Sequence, residues 1–199
     1  MKNFLGDLQC FLEKLDHYRD ELLFLFIKPY WPRKITPNQI TWVRVIIGGI
    51  LFILLFFLGI ENRLLIISLF CVGVLTDLFD GSVARGLNKV TEFGAMLDST
   101  ADRILLVPIA VYSLYQNEKW LLLALIFMEV INALTSIFYK SKEIYLESNI
   151  FGKTKMVLQS VVFIVILIIW PKTPAELFLD MLWLSIIFGI LSIFSRILE

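Results

Sequence analysis

Six stretches of this chain are apolar for nearly the length a helix needs to cross a hydrocarbon layer, about 20 residues for roughly 30 Å. They are Ile40–Ile60, Leu64–Gly86, Phe93–Tyr115, Trp120–Tyr139, Met156–Trp170 and Leu177–Ile197. A chain of 199 residues has no soluble core able to absorb so many such runs. The expected fold is therefore an all-α integral membrane protein with six transmembrane helices. The fifth run is the shortest, and the helix is expected to begin at Lys153, with that lysine snorkelling to the interface.

Composition removes other classes. Charged residues are 18% of the chain, against roughly 25% in a soluble domain. Disorder, a collagen repeat and a disulfide-stapled secreted module are excluded. Lysine plus arginine and aspartate plus glutamate both number 18, so the chain is no basic nucleic-acid binder, and only the location of charge is informative. Cys10 and Cys71 lie in unrelated segments without CxxC or Cys/His spacing, which supports neither a thiol redox pair nor a zinc site. The one histidine, His17, precedes the first span. Carboxylates, cations, hydroxyls and backbone remain to do any chemistry.

Before the spans, Phe4–Phe26 is interrupted by Glu13, Lys14, Asp16, Arg19, Asp20 and Glu21, so it is neither signal peptide nor span. Leu8, Phe11, Leu12, Leu15, Leu22, Leu23 and Phe26 recur at helical spacing, which predicts an amphipathic helix lying on the membrane surface. Pro29 and Pro32 mark its exit, and Thr36-Pro37 supplies an N-cap followed by proline in the first turn of the next helix. This gives a juxtamembrane segment, 1–35, and a six-helix transmembrane domain, 36–199.

Thirteen of the lysines and arginines fall in the N-terminal segment, the second-to-third and fourth-to-fifth connections and the C-terminal end. The opposite connections hold only Arg63, Lys119 and Lys172, with Arg44 and Arg103 inside spans. By the positive-inside bias both termini and the second-to-third and fourth-to-fifth connections, hence the end of span two and the start of span three, face the cytoplasm, in an inner (cytoplasmic) membrane.

Span two ends in Asp77-Leu78-Phe79-Asp80-Gly81-Ser82-Val83-Ala84-Arg85, and span three opens with Gly94-Ala95-Met96-Leu97-Asp98-Ser99-Thr100-Ala101-Asp102-Arg103. At about 100° per residue Asp77, Asp80, Gly81 and Ala84 share one helical face, and Asp98 and Asp102 stand one turn apart. A carboxylate in the bilayer costs about 2.5–3.5 kcal/mol on insertion scales, so four of them require compensation. Arg85 and Arg103 as simple salt-bridge partners are too few for four. Bound divalent cations solve the problem, and oxygen ligands without histidine or cysteine favour Mg²⁺, with Mn²⁺ or Ca²⁺ as substitutes. Gly81, Ala84 and Gly94 allow close helix packing and equally make room for a planar base or a pyrophosphate.

The string Asp77-x2-Asp80-Gly81-x2-Ala84-Arg85-x8-Gly94-x3-Asp98-x3-Asp102 resembles the signature of the CDP-alcohol phosphotransferases at every specified position. The surface helix followed by six spans is similar to that family's layout. The resemblance implies a homodimeric enzyme that displaces CMP from a CDP-linked lipid, CDP-diacylglycerol here, with the hydroxyl of a polar alcohol. It implies Asp77, Asp80, Asp98 and Asp102 as ligands of two ions, and Asp102 as the general base. For the CDP moiety it implies Asn38, Thr41, Asp77, Gly81, Ala84, Arg85, Thr91 and Gly94. Helix capping is the competing reading of Asn38 and Thr41.

Arg103, Lys153 and Lys155 suit a phosphorylated acceptor. Asn149-Ile150-Phe151-Gly152-Lys153-Thr154-Lys155-Met156-Val157-Leu158-Gln159 is similar to a stretch of phosphatidylglycerophosphate synthases, which favours glycerol 3-phosphate. Met156 and Met128-Glu129 depart from that pattern, and Asp98-Ser99-Thr100-Ala101-Asp102-Arg103 is similar to the inositol-phosphate branch instead. A cation-coupled transporter is the competing class, though duplicated halves are not visible.

Overall fold

The computed structural model describes residues 2–29, 36–60, 62–86, 91–141, 150–170 and 172–198, and among them the secondary structure is helical. The order is α1 (Lys2–Ile27), α2 (Pro37–Phe56), α3 (Arg63–Gly86), α4 (Glu92–Leu114), α5 (Lys119–Ser141), α6 (Ile150–Ile169) and α7 (Glu176–Leu198). Helices satisfy their own backbone polar groups, as hydrocarbon demands. Hydroxyls do the same: Ser68, Ser113, Thr135 and Thr154 each donate to the carbonyl four residues earlier.

Among the described residues, five helices are long and apolar enough to cross a membrane: α2, α3 over Arg63–Ala84, α5 over Lys119–Tyr139, α6, and α7 over Glu176–Ser195. They make the chain an integral membrane protein. α4 has the length, at 23 residues, but holds Asp98, Asp102 and Arg103 in its first half and Pro108 in its second. α6 starts at Ile150, three residues ahead of the Lys153 start expected and six ahead of the apolar run at Met156, because Lys153 and Lys155 continue the helix instead of ending it. α2 ends at Phe56, earlier than the run that reaches Ile60, and Gly59 then takes a positive φ of 58°. The segment holding Pro32, Arg33 and Lys34, together with Lys89, Lys142 and Asn149, lies outside the described residues.

The chain forms two compact units, Met1–Leu105 and Leu106–Glu199. In the first, α2 packs along α3 and α1 rests on α3. Asp20 of α1 is buried there and accepts a hydrogen bond from Ser82 Oγ at 3.3 Å, while Phe11, Leu15, Tyr18, Leu22, Leu25 and Phe26 of the same helix are exposed. The start of α2 is set locally. Thr36 has extended backbone (φ −88°, ψ 148°), its N–H donates to Gln39 Oε1 at 3.0 Å, and Pro37 takes the first helical position, where no N–H is needed.

Two glycines set how near α4 lies to its neighbours. A Cβ on Gly48 would stand 2.8 Å from the backbone oxygen of Ile104, and one on Gly73 would stand 2.6 Å from the Leu105 side chain. Backbones come this close in membrane helices only where side chains are small. Gly48 is one turn beyond Arg44 and Gly73 one turn before Asp77, so both close contacts lie beside the charged residues.

In the second unit α7 packs on α6 and α5. Its interior carries polar pairs: Lys155 Nζ meets Glu129 Oε1 at 2.5 Å, and Gln159 Nε2 donates to Ser185 Oγ at 3.2 Å. Gly189 lies against Met128, since a Cβ there would be 3.1 Å from Met128 Cε, with the Lys155 stem in ordinary contact range beside it. Tyr112 and Trp170 stack at 5.2 Å between centroids.

Candidate active site

Three helices of the first unit supply the charged cluster. α3 brings Asp77 and Asp80, one turn apart on the face that meets α2, and α4 brings Asp98 and Asp102. One carboxylate oxygen each from Asp77, Asp98 and Asp102 lies within 4.8 Å of the others, a spacing that fits a shared cation. Asp80 stands apart from that triple. Its Oδ2 accepts from Thr41 Oγ1 at 2.9 Å and from Arg44 Nη2 at 2.7 Å, and its side chain is 4% exposed.

Arg44, from α2, occupies the middle of the cluster. Its side chain is fully buried, and Nη1 lies 2.9 Å from Asp77, 2.9 Å from Asp98 and 2.6 Å from Asp102. Sequence reasoning missed it. It registered only as a cation inside a span, indistinguishable from Arg103, because its partners are up to 58 residues away. The usable signal was its placement one turn beyond Thr41-Ile40 and one turn before Gly48 on an otherwise apolar helix. The cluster opens on the side of Asp77 and Asp98, whose side chains are 37% and 44% exposed, whereas Asp102 is 16% exposed.

The other residues singled out from the sequence fall into three groups. Thr41 is buried and engaged with Asp80, with its hydroxyl also 3.3 Å from the Pro37 carbonyl. Asn38, Thr91 and Gly94 meet at the start of α4: Thr91 Oγ1 accepts from the Gly94 N–H at 3.0 Å, and a Cβ on Gly94 would press on both Asn38 Oδ1 and Thr91 Oγ1. Thr91 thus caps α4, a role the sequence reading did not give it, while the cap of α2 is Thr36 and not Asn38. Gly81 and Ala84 are half-buried on α3, and the side chain of Arg85 lies outside the described residues. Arg103 is half-buried on α4. In the second unit, Lys153 is half-buried and Lys155 is buried against Glu129.

Carboxylates drawn from two adjacent helices into one oxygen-only cluster match the chemistry of a hard divalent cation. The CDP-alcohol phosphatidyltransferase family pattern matches this chain over residues 34–192, a stretch holding every residue of the cluster. The chain belongs to the CDP-alcohol phosphatidyltransferase family. Among its relatives, an uncharacterized protein of Aquifex aeolicus (strain VF5) is 41% identical over 90 residues, which is 45% of this chain and 44% of that protein. CDP-diacylglycerol–glycerol-3-phosphate 3-phosphatidyltransferase of Escherichia coli (strain K12) is 36% identical over 85 residues, 42% of this chain and 46% of that enzyme. The enzyme of the same name from Shigella boydii serotype 4 (strain Sb227) aligns to the same extent. The chain spans less than half the length of the curated relatives it matches. As a family these are transferases of phospholipid biosynthesis with a general need for divalent metal.

Proposed function

We propose that this protein transfers the phosphatidyl group of CDP-diacylglycerol to the hydroxyl of glycerol 3-phosphate, releasing CMP and leaving phosphatidylglycerophosphate. The observation that carries the reading is the convergence of Asp77, Asp98 and Asp102 in a chain of this family. The name of the E. coli relative supports the acceptor, as does the Gly152, Lys153, Lys155 and Gln159 pattern.

Asp77, Asp98 and Asp102, with Asp80 beside them, would hold divalent metal, Mg²⁺ in two positions or Mn²⁺ in its place. The donor set fits: every candidate ligand is a carboxylate oxygen, and the cluster opens on one side. When bound, the metal supplies positive charge against the pyrophosphate and the departing CMP. The chain's own groups do the rest. The acceptor oxygen bonds to the phosphorus of the phosphatidyl group as the link to CMP breaks, and the Asp102 carboxylate takes the hydroxyl proton. Asn38, Thr41, Asp77, Gly81, Ala84, Arg85, Thr91 and Gly94 receive the CDP moiety, with Asn38 and Thr91 brought together over Gly94. From the sequence pattern, Arg103 in the first unit and Lys153 and Lys155 in the second are the candidate cations for the acceptor phosphate.

α4 is the sixth spanning helix of a catalytic domain, 36–199, and α1 lies on the membrane surface with its exposed apolar residues toward lipid. Both termini and the aspartates face the cytoplasm of the inner membrane, and the protein works as a homodimer. A second acceptor reading, inositol phosphate, is favoured by Asp98-Ser99-Thr100-Ala101-Asp102-Arg103.

The test is CMP release by purified protein from labelled CDP-diacylglycerol with Mg²⁺ and a panel of alcohols. Release with glycerol 3-phosphate alone is expected. Release only with inositol phosphate would move the acceptor. Silence with every alcohol, together with ion flux in liposomes, would replace transfer by transport.

A further inference from the structure

Phosphatidyl transfer at the four aspartates calls for metal, yet the cation the chain itself places among them is Arg44. A guanidinium NH₂ group has two hydrogens. Nη1 nevertheless has three carboxylate oxygens within 2.9 Å: hydrogen bonds run to Asp98 and Asp102, and the contact with Asp77 is an ion pair. Those are the three residues whose oxygens lie within 4.8 Å of one another. Nη1 therefore sits where they converge, and an ion with ligands at about 2.0–2.1 Å needs that same space.

The two ends of the guanidinium are held unequally. Nη2 bonds to Asp80 Oδ2, an oxygen also fixed by Thr41, whereas Nε is buried with no hydrogen-bond partner. A buried arginine seated for structure alone tends to fill its fork of donors. Here the Asp80 end is an anchor and the Nη1 end is bound only by the carboxylates that a metal would claim.

We propose that Arg44 is a positioning residue that acts as the resident cation of the cluster. Its Nη1 gathers Asp77, Asp98 and Asp102 around the metal's place, and it gives them up when the metal binds while Nη2 stays on Asp80. This rests on the metal-dependent transferase reading. Two consequences follow, and the second separates it from a plain salt bridge. The metal-free protein is kept folded by Arg44, because four carboxylates without a cation would repel one another. Metal affinity is held down by Arg44, because each ion must displace a guanidinium and then sit beside its charge. A structural arginine would have the opposite effect on affinity, since its loss would scatter the ligands.

The experiment uses the full chain in nanodiscs, with Mn²⁺ followed by the loss of its free-ion electron paramagnetic resonance signal, and Tm measured with and without Mn²⁺. For Arg44→Gln the metal-free Tm falls, the Mn²⁺ Kd drops on the order of tenfold, and the gain in Tm on adding Mn²⁺ exceeds that of the wild type. Arg44→Lys serves if the glutamine variant does not fold. Its single ammonium cannot hold Asp80 and the other three at once, so Mn²⁺ again binds tighter, by a smaller factor. A Kd unchanged or raised in the variants that fold overturns the proposal. Wild-type protein that binds no Mn²⁺ and releases no CMP removes the transferase reading and this proposal with it. Wild-type protein that does both, beside variants that bind no tighter, removes only the role of Arg44.

Discussion

At the scale of single residues, the four aspartates differ in surroundings although the sequence presents them as a matched set. Asp80 is sealed and tied to Thr41 and Arg44, Asp102 is largely covered, and Asp77 and Asp98 face the opening. That gradient suits a deep general base beside exposed ligands. Asp102→Asn keeps the shape of the side chain but removes its basicity, so CMP release should fall by about a hundredfold or more with a smaller change in CDP-lipid binding. Equal turnover in variant and wild type would take the proton-transfer role from Asp102. Thr41→Val should leave Asp80 one donor short in a buried place, a loss of about 1–3 kcal/mol, read as a lower unfolding temperature of purified protein. The aspartates were legible in the sequence because carboxylates at the edge of an apolar run are costly and their spacing repeats the helical turn. Arg44 and the cap at Thr91 were not, because what marks them is contact and hydrogen bonding that only the folded helices create.

At the scale of helices, the apolar runs announced the elements, and their ends came from chemistry the hydropathy pattern does not carry. The Thr36-Pro37 start of α2 was readable from capping logic. The early start of α6 was readable only back to Lys153, and the turn from Ile150 was not, since two lysines interrupt apolarity without interrupting the helix. Glycine spacing was likewise ambiguous. Gly48 and Gly49 are adjacent, yet a Cβ on Gly48 would meet Ile104 backbone at 2.8 Å while one on Gly49 would meet nothing within 4 Å. Gly48→Ala should therefore push α2 from α4, costing about 1–3 kcal/mol and most of the CMP release. Gly49→Ala should be tolerated, or stabilise by up to about 1 kcal/mol through helix propensity. Paired thermal unfolding and activity measurements check both, and equal behaviour of the two variants would deny the close approach of α2 and α4.

For the whole molecule, the charge asymmetry that sets orientation is a property of the sequence alone, and the helices neither add to it nor replace it. Cys10 is exposed on α1 and offers a direct check. A membrane-impermeant thiol reagent should label it in inside-out vesicles and not in intact cells. Labelling in intact cells would invert the orientation argued from lysine and arginine placement. The acceptor is the least legible feature at this scale. Lys153 and Lys155 read as a phosphate site and as ordinary cytoplasmic charge alike, and burial of Lys155 against Glu129 gives it structural work as well.

If aspartates from α3 and α4 hold metal for phosphatidyl transfer, the direct readout is CMP release from CDP-diacylglycerol and glycerol 3-phosphate, with Mg²⁺ and after chelation, for wild type and Asp98→Asn. Wild-type release that stops on chelation and returns with Mg²⁺, beside a variant lowered by about a hundredfold or more, is the predicted result. Release indifferent to chelation, or an Asp98→Asn protein as fast as the wild type, would contradict it.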